Sequence, residues 1–195
     1  VLLQTLEGHT STVVDLQFSP DSSRLGSAAW GDTLILWNVA DWQRLNTIDT
    51  GVGEANSISF SLDGEILTGG CENGICLWMA SDGSLEEKIT GFVGGTDHAV
   101  FSHDGNWMAA GCTTGTCLYE AENWELIQSF DGQGNLSFSA DKTSLQIDLQ
   151  TWRVQDGALV NSIEVDNVQA NSMSPDMEWI AVAIGLGRKG VEIYQ

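Results

Sequence analysis

The sequence predicts an all-β repeat protein of about five four-stranded units, small sheets closed or stacked upon one another. Three observations predict it. A turn motif recurs as Phe18-Ser19-Pro20-Asp21, Phe60-Ser61-Leu62-Asp63, Phe101-Ser102-His103-Asp104, Phe138-Ser139-Ala140-Asp141 and Met173-Ser174-Pro175-Asp176. An aromatic follows each turn, at Trp37, Trp78, Tyr119, Trp152 and Tyr194. The segments between read as short strands punctuated by turn residues, at a period of about forty residues.

The first unit sets the pattern. Residues 13–18, 24–29 and 33–37 are three β-runs, and Ser19-Pro20-Asp21-Ser22 joins the first two, with Pro setting φ and Asp capping its own backbone. An apolar run ahead of each triplet supplies a fourth, outer strand: residues 1–6, 44–48, 85–89, 125–129 and 159–163. Leu34-Ile35-Leu36-Trp37 and Ile75-Cys76-Leu77-Trp78 do not alternate, so these strands are expected to be covered on both faces. The recurring aromatic is then a core residue. The units run roughly 1–42, 43–83, 84–122, 123–156 and 157–195. Unit four is short between Phe138 and Trp152, so Asp148-Leu149-Gln150-Thr151 must turn very tightly or distort its sheet.

Gly8-His9, followed by Phe18-Ser19-Pro20-Asp21, Ser27 and Leu36-Trp37-Asn38, resembles the WD-repeat β-propeller family. The resemblance covers essentially the whole chain, with its strongest motifs in the first unit. Gly-His occurs once, and units end in Trp37-Asn38 or Trp78-Met79 rather than Trp-Asp. It implies a β-propeller of about five four-stranded antiparallel blades, with almost no helix. The ring would be complete and small, or part of a larger, for example seven-bladed, propeller. In the family the outer strand belongs to the blade before it, which places residues 1–6 to complete the fifth sheet and close a ring. The same phase arises when five units are cut from a longer propeller, and a chain opening on Val1 is expected to be a processed product or an excerpt. The resemblance further implies that His9, Ser27, Asp32 and Trp37 form a buried hydrogen-bonded chain bracing the first blade. Asp32 stands one place nearer the Trp than the usual motif puts it.

Charge narrows the partners. With 27 acidic and 7 basic residues, the net charge of −20 repels nucleic acid and anionic lipid, so neither is expected to bind. The acidic surface either keeps a Trp-rich chain soluble or attracts a basic partner. No apolar run approaches the roughly 20 residues of a membrane span. Cys71 and Cys76 flank one hairpin, Cys112 and Cys117 the same hairpin a unit later. That spacing is loose for structural zinc. A small apolar filler is the expected role, a cross-strand disulfide the alternative, and fillers fit a reducing, cytoplasmic setting.

The sequence holds no catalytic constellation, and neither cofactor nor metal is expected. Ser102-His103-Asp104 resembles a triad only on paper: adjacent strand residues face opposite ways, and these three fill the turn slot of unit three. The expected function is a non-catalytic scaffold that binds a protein or peptide, with a hydrolase-type propeller enzyme using an axial pocket as the alternative. The binding surface is expected on the rim carrying the loops before each first inner strand and between the last two. Trp30, Glu54, Asn56, Glu72, Phe92 and Asp97 fall there. Trp30 occupies a turn slot where other units carry Glu72 or Thr113, so no packing duty common to the repeats holds it.

Overall fold

The computed structural model describes residues 2–31, 33–51, 57–71, 74–90, 99–165, 168–174, 178–185 and 190–195. Among them there are strands and no helix, ordered as an antiparallel β-propeller of five blades. Blade 1 holds β1 (Val13–Phe18), β2 (Arg24–Ala29), β3 (Thr33–Asn38) and β4 (Arg44–Asp49). Blade 2 holds β5 (Ile58–Phe60), β6 (Ile66–Cys71), β7 (Gly74–Met79) and β8 (Leu85–Thr90). Blade 3 holds β9 (Ala99–Phe101), β10 (Trp107–Cys112), β11 (Gly115–Glu120) and β12 (Leu126–Phe130). Blade 4 holds β13 (Leu136–Phe138), β14 (Ser144–Ile147), β15 (Gln150–Arg153) and β16 (Leu159–Ser162). Blade 5 has three strands among the described residues: β17 (Val168–Met173), β18 (Ile180–Ile184) and β19 (Gly190–Tyr194).

Two expectations need correcting here. The outer strand of each blade is indeed the run that opens the next unit, but residues 2–6 form no strand and do not complete blade 5. Leu2 and Leu3 stand in solvent. An apolar strand with no sheet edge beside it gains no ladder of hydrogen bonds to offset its ordering. The cysteines are also not fillers: Cys71 is bonded to Cys76 and Cys112 to Cys117. In the ladder Cys71 faces Gly74 and Cys112 faces Gly115, so each Cys meets its partner diagonally on one face of the hairpin, with Cα atoms 5.8 Å apart. The reading of a reducing compartment rested on free thiols and loses its basis.

The core lies between blades. Each blade has a leading face toward its predecessor and a trailing face toward its successor. Ala28, Leu34 and Leu36 on the trailing face of blade 1 meet Ile58, Phe60, Leu67 and Trp78 on the leading face of blade 2. Ile75 and Leu77 then meet Met108 and Tyr119, and Ala109 and Leu118 meet Phe138, Leu145 and Trp152. The recurring aromatic is thus buried in blades 1 to 4, as its periodicity predicts, while Tyr194 in blade 5 is only half-buried. Gly26 lets this contact close, since a Cβ there would lie 2.4 Å from Ile58 Cδ1 and force that side chain to move.

The Ser-x-Asp turns form a second repeated device. In each of the first four, the Ser hydroxyl donates to the Asp carboxylate two residues on, at 2.6–2.7 Å. The same hydroxyl accepts the backbone N–H five residues on, from Arg24, Ile66, Trp107 and Ser144. One Ser therefore ties the first strand of the blade to the second. The sequence pointed to Asp as the capping residue, and Ser proves to be the pivot. These turns lie on one rim, and the hairpins joining the last two inner strands lie on the other.

Unit four resolves its shortened hairpin without distortion. Ile147 pairs directly with Gln150, leaving a two-residue turn of Asp148 and Leu149 with φ +51° at Asp148. Buried Gln146 holds the turn by donating to the Asp148 carbonyl and accepting from the Thr151 hydroxyl. The Asp148 carboxylate in turn accepts from the Asn135 backbone N–H and the Asn171 side chain, linking blade 4 to blade 5.

Candidate functional site

On the hairpin rim, β2 runs outward to Ala29 and the chain reverses through Trp30 and Gly31, where φ of +121° suits a glycine. The backbone N–H of Trp30 donates to the Thr12 carbonyl at 2.9 Å, which fixes the start of the reversal. Its indole is 59% exposed and makes no ring contact or side-chain hydrogen bond among the described residues. The other rim residues singled out by sequence, Glu54, Asn56, Glu72, Phe92 and Asp97, lie outside the described residues, so the structure does not test whether they gather around it.

The same rim carries both disulfides, one in each hairpin of blades 2 and 3. The Gln133 side chain donates to the Cys112 carbonyl at 2.9 Å, and the Thr116 hydroxyl donates to the Gly132 carbonyl. These contacts tie the stapled hairpin of blade 3 to the loop leading into blade 4. Sequence reasoning had the cysteine spacing in hand and weighed it toward packing; the glycines opposite Cys71 and Cys112 are the signal that the bonded geometry was open.

Ser27, three residues before Trp30 on the same hairpin, centres the brace. The Trp37 indole N–H donates to Ser27 Oγ at 2.9 Å, and His9 Nε2 lies 2.6 Å from the same oxygen. Ser27 Oγ is also 3.3 Å from the Ile35 carbonyl. A hydroxyl has one proton and two lone pairs. Both lone pairs are filled when Trp37 and His9 donate and Ser27 donates to Ile35. Burial lowers the His9 pKa, which keeps the ring neutral. Asp32, the fourth residue of the expected chain, lies outside the described residues.

This Ser–His pair cannot serve as a nucleophile and base. Ser27 is buried, and its hydroxyl is engaged on every side by the blade itself. In the other suspect, Ser102 donates to Asp104 at 2.7 Å as a turn clasp while His103 points to solvent. That clasp, the Asn106 backbone N–H and Lys142 hold the Asp104 carboxyl well below the usual range, at about 2. A carboxylate with so low a pKa is a poor proton carrier at neutral pH. Among the described residues no group of His, Cys, Asp and Glu is placed to hold a metal ion.

Comparison with known proteins agrees with this geometry. Residues 1–38 match the family described as "WD domain, G-beta repeat". The guanine nucleotide-binding protein subunit beta of Arabidopsis thaliana is 30% identical over 76 residues, which are 39% of this chain and 20% of that protein. Among solved structures, U3-55K superposes over 98% of this chain and 63% of its own, with a TM-score of 0.78 at 14% identity. A structure titled "Kuenenia stuttgartiensis Hydrazine Synthase" superposes over 92% of this chain and 58% of its own, with a TM-score of 0.75 at 15% identity. At such identities these structures speak for the fold alone. The chain thus matches about three fifths of the length of these structures and a fifth of that curated relative.

Proposed function

We propose that this five-bladed β-propeller, whose first 38 residues match a WD-repeat family, is a non-catalytic scaffold that binds a protein or peptide on its hairpin rim. The observation that carries the reading is the exposed indole of Trp30 at the tip of the β2–β3 hairpin. An exposed Trp on a rigid turn offers a large apolar contact area with little conformational entropy to lose. The stapled hairpins of blades 2 and 3 support the same reading, because a rim ordered beforehand spends less of its binding energy on ordering. The net charge of −20 favours a partner with Lys or Arg beside an apolar anchor.

The test is a peptide-array screen of the chain against apolar anchors flanked by Lys or Arg, repeated with two variants. Trp30→Ala is expected to shorten residence time. A Glu54/Glu72/Asp97 charge-reversed variant is expected to slow association and flatten its salt dependence. If neither variant weakens any captured peptide, the binding face lies elsewhere.

A further inference from the structure

We infer that a cleft on the turn rim of blade 3 is a second binding site, which takes the guanidinium of an arginine side chain from a peptide or protein partner. It lies on the opposite rim from Trp30 and does not depend on that residue's role. A cavity of about 460 Å³ opens there, lined by Gly105, Asn106, Trp107, Glu120, Ala121 and Glu122. β10 begins at Trp107 and β11 ends at Glu120, and the two residues stand opposite one another in the ladder. Directly opposed residues project from the same side of a sheet, so the pair sets an indole beside a carboxylate. Trp107 also packs against the core between blades 3 and 4, which limits the freedom of its ring. The walls are held by the turns themselves. The Ala121 N–H donates to the Asn106 carbonyl at 2.8 Å, and the Asn106 side chain donates to Asp104 at 2.7 Å. The site is thus ordered before a ligand arrives.

Charge selects the ligand class. The Glu120 carboxylate accepts from the Asn123 side chain at 3.0 Å, and among the described residues neither Glu120 nor Glu122 is in an ion pair. Lys142, on the neighbouring turn of blade 4, is neutralised by Asp104 at 3.2 Å. An indole bordered by two carboxylates attracts a cation. A guanidinium can lie flat on the indole while its N–H groups fork to a carboxylate, which an ammonium cannot do. The repeat itself supplies a precedent. The Ser19 N–H donates to the Arg24 carbonyl as the Ser102 N–H donates to that of Trp107, so Arg24 and Trp107 hold one position. In blade 1 the chain's own guanidinium fills that position and donates to the Gly64 carbonyl of blade 2 at 3.4 Å. In blade 4 the counterpart of Glu120 is Arg153, whose guanidinium is bound to Asp156 at 2.8 Å. Blades 1 and 4 thus carry their own cation at this place on the rim, and blade 3 carries acceptors without one.

The test titrates the 195-residue chain with the blocked peptide acetyl-Gly-Arg-Gly-amide, followed by NMR at the Trp107 indole N–H and the Glu122 amide. Three comparison ligands are used: the lysine peptide, the peptide of citrulline, which is arginine's neutral isostere, and a glucose oligosaccharide. The arginine peptide is expected to shift both signals and to bind about threefold or more tightly than the lysine peptide. The citrulline peptide and the sugar should leave both signals in place. Glu122→Gln changes an exposed residue, and Glu120→Gln keeps an acceptor for Asn123, so both variants should stay folded. Each is expected to weaken the arginine peptide about threefold or more, as is Trp107→Leu, while Trp30→Ala leaves its binding unchanged. Three results would overturn the inference. One is no shift at millimolar arginine peptide. Another is a shift of equal size with citrulline or the sugar, which would make the cleft a site for neutral polar ligands. The last is arginine binding that survives all three blade 3 variants and is lost in Trp30→Ala, which would assign the peptide to the hairpin rim alone.

Discussion

The indole N–H of Trp37 donates to the hydroxyl of Ser27 across 2.9 Å, inside the first blade. The fourth blade shows what that bond is worth. Ile147 stands in the Ser27 position there, and Trp152 Nε1 is buried without a partner among the described residues. Trp152 keeps its place through packing, edge-on to Phe130 at 5.9 Å.

Ser27→Ala is therefore expected to cost about 1–3 kcal/mol, because it strands the Trp37 donor in the core. Trp152→Phe removes a donor that has no partner, and should cost less than Trp37→Phe when both are compared by urea unfolding. Equal losses for the two Trp variants would show that the hydrogen bond contributes nothing beyond volume.

Burial lowers the His9 pKa relative to the unfolded chain, so the folded state binds fewer protons. Stability from this source is complete above the unfolded value of about 6.5 and falls as pH drops through it toward the folded value. A plot of Tm against pH between 7 and 5 should slope less in His9→Gln than in the parent. Parallel slopes would remove His9 as the titrating group.

The Ser-x-Asp clasps predict a separate acid limb. Hydrogen bonds from Ser19 and Ser102 lead the causes that bring Asp21 and Asp104 to about 2, and Asp63 and Asp141 are lowered in the same way. A lowered carboxylate stabilises the fold above its unfolded pKa and loses that contribution as pH falls through the folded value. The window is thus below pH 3.8, down to about 2. Asp104→Asn should flatten acid unfolding in that window and lower the urea midpoint at pH 7 modestly, since the carboxylate's contribution is present there and reduced by solvent screening.

The disulfides close short loops, with a sequence separation of 5 in each. Loop entropy then assigns about 2 kcal/mol to each bridge, at the low end for disulfides. All four sulfurs are in bridges, so alkylation by iodoacetamide should add no mass in denaturant alone and should label four thiols once a reductant is added. Reduction should lower Tm by roughly 5 °C or more without dismantling the other blades. Four alkylated thiols in the untreated native protein would refute the bridges.

The chain's architecture was legible because it is written in recurrence. Phe/Met-Ser-x-Asp and the aromatic after it mark each blade, and the two-faced apolar strands such as Leu34–Trp37 announce sheets packed on both sides. The brace was legible as well, since buried imidazole, hydroxyl and indole groups must be satisfied and only the first unit carries all three. Of the rim residues singled out by sequence, only Trp30 lies among the described residues, where its indole is exposed.

What the sequence determined by itself was therefore the repeat: strand count per unit, turn chemistry, and which side chains enter a core. Local patterns decide these, because alternation, turn residues and buried polar groups act within one hairpin. What only the tertiary structure decided was how distant pieces meet. Cys71 and Cys76 became a bond rather than a filler pair because the ladder sets them diagonally on one face, and residues 2–6 remained outside every sheet because no edge reaches them. Leu16, Phe18, Val191 and Ile193 stand at positions that are buried in the middle blades, yet the structure leaves them exposed. A residue's place in a repeat fixes the face it needs, and only the neighbouring blade can supply that face.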